Sequence, residues 1–231
     1  MSEEQLPEKQ LRTVRSFVIR GGRLTPSQQY ALTHYWPRYG LAASDHPFNQ
    51  QTVFGRQARL VLEIGFGMGD SLVAMAAAQT ETDFIGIEVH PPGVGKLLDE
   101  IHKLGLSNLR IYQHDATEIL ARCFADDTLD VIQIFFPDPW HKKRHHKRRL
   151  IQADFVALLS RRLKRGGILH LATDWENYAE QMLAILSANP TLCNAAGQGQ
   201  YSDSSRRQTT KFEQRGRRLG HEVRDLIFVK R

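Results

Sequence analysis

From Arg59 onward, apolar residues fall into short runs that alternate with stretches in which they recur every three or four positions. The runs predict strands at Arg59–Ile64, Asp83–Ile87, Asn108–Tyr112, Leu129–Phe136, Gly167–Thr173 and Val223–Val229. Between them, the spacing predicts helices over Ser71–Gln79, Gly95–Lys103, Thr117–Cys123, Leu150–Leu163 and Trp175–Ser187. Strand–helix alternation of this kind builds right-handed βαβ units, hence an α/β fold with a mostly parallel sheet covered on both faces. Residues 1–55 have weak periodicity, several arginines (Arg12, Arg15, Arg20, Arg23) and the turn pair Gly21-Gly22. They read as a partly flexible N-terminal arm ahead of a single domain over residues 56–231.

A chain of 231 residues is long enough to bury one full α/β core. No apolar run approaches the ~20 residues of a membrane span, and the acidic start Met1–Pro7 lacks a signal peptide's apolar segment. The expected compartment is the cytoplasm. Cys123 and Cys193 are the only cysteines and show no CxxC spacing, so neither a disulfide framework nor a zinc site is expected. The net charge of +6 is more informative, because His141–Arg149 holds six Lys/Arg and no acid and so accounts for all of it. A block this concentrated suits a polyanion with closely spaced phosphates, and a solvated surface face is the plainer alternative. If the partner is RNA, the N-terminal arm is a second candidate contact.

Leu60–Ile64 runs directly into Gly65-Phe-Gly67-Met-Gly69 and then a helix. Glycines at such a turn permit positive φ and let the backbone approach a nucleoside cofactor closely. The spacing is GxGxG, not the GxGxxG of dehydrogenases, and Glu63 stands two residues before the first glycine. That acid would repel a pyrophosphate but suits the cationic amino and sulfonium groups of S-adenosylmethionine. Glu88 ends the next strand, where a carboxylate can accept from ribose hydroxyls, and Asp115 follows the third, within reach of an adenine amine. Each acid alone could be a helix cap; three in register point to a cofactor. Gly93-Val-Gly95-Lys96 is no phosphate loop, because His90 replaces the first glycine and Leu97 the required Ser or Thr.

The fourth strand runs into Phe136-Pro-Asp-Pro-Trp140. Two prolines hold Asp138 in a stiff turn that should face the same crevice as the glycine loop. Trp140 offers a surface on which a base could stack, and the basic block starts at the next residue. His141, His145 and His146 have metal-like spacing, but the surrounding cations oppose a metal and none is expected. Asp174-Trp175 ends another strand at the same edge, and the polar segment Thr210–Gly216 precedes the last one.

Taken together, Leu62–Gly69, Gly86–Val89, Phe136–Trp140, Lys142–Leu150, Thr173–Trp175 and Thr210–Glu213 resemble bacterial tRNA (guanine-N7-)-methyltransferases, in the order of that family. The resemblance spans roughly Arg59 to Phe228 and is weakest before it; its one departure is His141, where the family has proline. It implies a class I, Rossmann-like fold with a seven-stranded sheet, and methylation of the guanine at position 46 in the tRNA variable loop. By position it implies cofactor contacts from Glu63, Gly65, Gly67, Gly69, Glu88, Asp115 and Asp138, with Asp138 also catalytic. It further implies substrate contacts from Lys142, Asp174, Thr210, Lys211, Phe212 and Glu213, and RNA contacts from Arg144, His145, His146, Lys147, Arg148 and Arg149. Three rivals remain open from the residues alone: an adenine-N6 methyltransferase of nucleic acid, an NAD-dependent oxidoreductase, and a non-catalytic RNA-binding protein on the same fold.

Overall fold

In the computed structural model, residues 16–17, 23–203 and 222–231 are described. Thr210, Lys211, Phe212 and Glu213 therefore lie outside the described residues. The periodic part of the chain forms the expected elements. Strands β2 (Arg59–Ile64), β3 (Thr82–Ile87), β4 (Leu109–Tyr112), β5 (Leu129–Phe135) and β6 (Leu163–Thr173) pair in parallel, and β8 (Arg224–Lys230) runs antiparallel to β6. Helices α4 (Asp70–Ala78), α5 (Pro91–Leu104), α6 (Ala116–Cys123), α7 (Ala153–Arg162) and α8 (Glu176–Ala188) connect them.

Both faces of the sheet are buried, and β2 shows how. Leu60, Leu62 and Ile64 pack into one cluster with Ile119, Phe155, Leu159 and Met182, while Val61 packs with Leu72, Leu97 and Leu98 on the opposite face. At roughly 1.5–3 kcal/mol for each large apolar side chain taken from water, such strand residues dominate the stabilisation. Helix α5 meets its cluster through Val94, Leu97, Leu98 and Ile101, starts on Pro91 and stops at Gly105 with φ 63°.

Among the described residues the sheet has eight strands instead of seven, in the order β1 (Gly40–Leu41), β4, β3, β2, β5, β6, β8 and β7 (Leu192–Asn194). The additions are short edge pieces, β1 beside β4 and β7 beside β8, too brief to leave a period of two in the sequence. A larger difference concerns residues 23–55, assigned above to the arm. They contain helices α1 (Pro26–His34), α2 (Trp36–Tyr39) and α3 (Gln50–Phe54), with Ala31 and Tyr39 buried. Only Ala31 of α1 is buried, so its apolar period is faint. Its start is nonetheless written in the chain: Thr25 and Gln28 form a capping box around Pro26 at the first turn.

Candidate active site at the carboxyl ends of the strands

Five parallel strands finish level with one another. Ile64 pairs with both Ile87 and Ile134, Ile87 with Tyr112, and Phe135 with Ala172. The residues beyond these ends meet where the order of strands reverses, between β2 and β5, which is where open α/β sheets bind ligands. A cavity of about 260 Å³ lies there, and Gly65, Glu88, Asp115 and Asp138 line it. Four residues proposed from separate segments are thereby brought together. Asp174 leaves β6, the neighbour of β5, and is half-buried.

The glycine loop takes a shape that side chains resist. Gly65, Gly67 and Gly69 have φ of 75°, 58° and 77°. Space beside Gly65 and Gly67 is open, whereas Gly93 at the start of α5 faces the Gly67 carbonyl oxygen so closely that a Cβ would stand 2.0 Å from it. Gly93 and Gly95 are thus packing glycines inside a helix, in keeping with their rejection as a phosphate loop; Gly95 faces Gln28 of α1.

Glu88, Asp115 and Asp138 are fixed by hydrogen bonds from backbone N–H groups. Glu88 accepts from the backbone N–H groups of Gly67 (2.9 Å), Val89 (2.7 Å) and His90 (3.0 Å). Three bonds occupy most of the about four lone-pair positions of a carboxylate and leave one for a ligand hydroxyl. Asp115 caps α6 by accepting from Thr117 N–H at 2.8 Å, so its plainer role as a cap and its place in the cavity coexist. Asp138 Oδ1 accepts from Trp140 N–H at 2.9 Å, and its side chain is exposed.

Glu63 behaves differently. It is buried, 4% exposed, on the sheet face it shares with Gly86 and Gln133 through the strand register. Burial, reinforced by the nearby Glu88 carboxylate, pushes its carboxyl up to about 8. Its Oε2 has no hydrogen-bond partner among the described residues. A buried, unpaired acceptor directly beneath the glycine loop fits a cationic ligand group better than an anionic one.

The basic run forms a 3₁₀ helix, Lys143–Arg148, that follows the Asp138 turn. Lys142, Lys143, Arg144 and Lys147 are exposed, and His145, His146 and Arg148 are half-buried. Burial, together with the cations of Arg144 and Arg148, holds the His145 imidazole below its usual range. Trp140 is less open to a base than expected. The Arg148 guanidinium covers its ring at 4.2 Å, and its indole N–H donates to the Ser16 carbonyl at 3.1 Å.

Arg149, expected among the RNA contacts, is not exposed like the other cations of the run. It is 2% exposed because its guanidinium turns inward, over the Tyr178 ring at 4.7 Å. It donates to the Pro139 carbonyl (2.8 Å), Gln181 Oε1 (2.5 Å), Asn177 Oδ1 (3.0 Å) and His146 Nε2 (3.1 Å). Counting charges along a chain gives no sign of this.

Sequence reasoning also missed parts of the cavity wall. Ser16 and Phe17, read as arm, line it together with His114, Phe136 and Leu150. Phe136 has φ 51°, an uncommon conformation for an aromatic residue and one that its Pro137 neighbour gave no hint of. Among the described residues no group of His, Cys, Asp and Glu is arranged to hold a metal ion, and no helix is long and apolar enough to cross a membrane.

Comparisons with known proteins give the family of the chain. Residues 57–226 match the family model described as "Putative methyltransferase". The chain is 57% identical to a tRNA (guanine-N(7)-)-methyltransferase of Alcanivorax borkumensis, over 96% of this chain and 94% of that protein. It is 57% identical to the protein of the same name from Shewanella amazonensis, over 94% and 92%. The counterpart in Pseudomonas aeruginosa strain UCBPP-PA14 is 54% identical over 94% and 90%. Solved structures share the fold at lower identity. The aminoglycoside resistance methyltransferase NpmB1 has a TM-score of 0.53 at 18% identity, covering 78% of this chain and 91% of that one. The 16S rRNA methyltransferase KamB has a TM-score of 0.56 at 12% identity, covering 78% and 92%. The class I methyltransferase fold, the level strand ends with their acids and the near-complete alignment lead to one assignment: the chain belongs to the tRNA (guanine-N7-)-methyltransferase family.

Proposed function

We propose that this protein transfers a methyl group from S-adenosylmethionine to N7 of a guanine in tRNA, at position 46 of the variable loop, in the cytoplasm. The observation that carries the reading is identity of 54–57% over nearly the whole chain to proteins named for guanine-N7 methylation of tRNA. The cavity is chemically consistent with it. The unpaired Glu63 oxygen under the glycine loop suits a cationic donor. The remaining lone pair of Glu88 suits a ribose hydroxyl, and the second oxygen of Asp115 suits the adenine amine.

When bound, S-adenosylmethionine supplies an electrophilic methyl group, and guanine N7 meets it with an in-plane lone pair that needs no general base. The chain therefore contributes position and charge. Asp138 and Asp174, beyond adjacent strands, accept from guanine N1–H and the 2-amino group, a donor pair that adenine lacks. Their charge also stabilises the positive purine as it forms. Lys142 holds a phosphate or guanine O6. Arg144, His145, Lys147 and Arg148 meet the RNA backbone, with His146 beside them. Thr210–Glu213 complete the substrate side.

Incubation with unmodified tRNA and labelled S-adenosylmethionine, followed by mapping of the modified nucleotide, tests the reading. N7-methylguanine at one variable-loop position is expected. Label on adenine N6, or none in tRNA, would overturn it.

A further inference from the structure

Arg149 is a buried cation in a run whose other Lys/Arg residues are exposed or half-exposed. Ion burial costs several kcal/mol unless hydrogen bonds replace water, and here four bonds do so. The partners are a carbonyl, two side-chain amides and an imidazole, so the cation is solvated without being neutralised.

What those partners connect is informative. Asn177, Tyr178 and Gln181 lie on the first turns of α8, the helix that starts two residues after Asp174. The Pro139 carbonyl belongs to the turn that carries Asp138. That carbonyl and the Trp140 N–H are opposite edges of a single peptide group. Arg149 Nε–H donates to the oxygen at 2.8 Å, and the N–H donates to Asp138 Oδ1 at 2.9 Å. The peptide is planar, so fixing its oxygen fixes the direction of its N–H, and with it the Asp138 carboxylate. Bonds in such a chain also polarise one another. Trp140 adopts φ 46° here, a backbone conformation that persists only where the surroundings impose it. Burial chiefly raises the Tyr178 phenol's pKa, and the Asp138 carboxylate adds a small share to it through space.

We propose that Arg149 is a positioning residue for methyl transfer. Through the Pro139–Trp140 peptide it orients Asp138, and through Asn177 and Gln181 it locks that turn to the helix behind Asp174. The two carboxylates that face the guanine are thereby held at a fixed separation, and Arg149 touches no phosphate. This inference rests on the reading of Asp138 and Asp174 as base-contacting groups.

The test compares Arg149→Met and Arg149→Lys with Lys147→Ala, using single-turnover methylation, tRNA binding across a salt series, and thermal unfolding. Both Arg149 variants should lose at least about tenfold in the single-turnover rate, since a misplacement of about 1 Å can cost a hundredfold. Their tRNA affinity and its salt slope should match wild type. Added methylguanidinium should restore part of the Arg149→Met rate, which a general loss of stability would not allow. If Arg149→Met does not fold, Asn177→Ala/Gln181→Ala removes two acceptors from α8, and its rate should fall several-fold with unchanged tRNA affinity. A flatter salt slope with an unchanged rate would make Arg149 a phosphate contact and overturn the inference, as would an unchanged rate in the double variant. A wild-type protein that does not methylate guanine fails the functional reading instead, and is told apart by that control.

Discussion

Glu63 allows a prediction that needs no substrate. Its carboxyl is pushed up to about 8 by burial, against an ordinary value of 4.5. A group whose pKa is raised on folding favours the folded state fully below its unfolded pKa, and that advantage is lost as pH rises through the folded pKa. The relevant window is therefore pH 4.5 to 8, with stability falling as pH rises. Replacement by glutamine removes the titration and keeps the shape. Linkage at 1.36 kcal/mol per pKa unit makes the stability of Glu63→Gln relative to wild type grow by roughly 3–4 kcal/mol between pH 5 and pH 8. Urea unfolding of both proteins at pH 5, 6, 7 and 8, with a shared slope, measures the difference. Two parallel stability curves would refute the reasoning, because they would mean that Glu63 ionises in the fold as readily as in the open chain. A second arm adds saturating S-adenosylmethionine. An ammonium or sulfonium close to Oε2 stabilises the carboxylate, so binding below pH 7.5 should release a proton in wild type and none in Glu63→Gln. Calorimetry in buffers of different ionisation enthalpy reads that proton directly.

Three further outcomes are expected. Asp138→Ala should keep the wild-type unfolding midpoint and lose on the order of a hundredfold or more in turnover, as for other preorganised transition-state contacts; unchanged turnover in the purified variant would remove Asp138 from the site. Lys147→Ala should raise the KM for tRNA, leave the limiting rate unchanged, and reduce the slope of log affinity against log salt by about 0.9, the share of one phosphate contact. Gly93→Ala would set a methyl group 2.0 Å from the Gly67 carbonyl oxygen, so it should cost about 1–3 kcal/mol in chemical unfolding and weaken S-adenosylmethionine binding in a calorimetric titration; wild-type affinity would show that the loop does not depend on this contact.

Much of the fold was legible because its core strands are apolar on both faces and its helices on one. The strand β2 is found at its predicted bounds for that reason, and the helix beginning at Asp70 follows the loop glycines as read. The chain kept back what depends on distance in space. Residues in β1 and β7 are too few to show a period, and α1 buries only Ala31. In the site, Gly65, Glu88, Asp115 and Asp138 were readable because strand ends in a parallel sheet must converge, so a position in sequence becomes a position in the cavity. Ser16 and Phe17 follow no strand and could not be placed that way. Arg149 was grouped with its neighbours because a one-dimensional charge count cannot distinguish a guanidinium facing solvent from one stacked over Tyr178. Glu63 was readable as an acid at a strand end, but its burial and the upward shift of its carboxyl depend on what packs around it in space.

The strand order has an evolutionary consequence. At the reversal between β2 and β5, the residues assigned to the methyl donor, Gly65 to Gly69, Glu88 and Asp115, come from β2 and the strands on one side of it. Asp138, Asp174 and the basic run come from β5 and β6 on the other side. Glu88, Asp115 and Asp138 are each fastened to their own turn by bonds that reach two residues at most along the chain, apart from the bond of Glu88 to Gly67 within the donor half. Mutations that refit the acceptor half to a different base or a different RNA can thus accumulate while the donor half stays as it is. Asp138, assigned to both halves, is the hinge of that exchange. A lineage can change what it methylates without first losing what it methylates with.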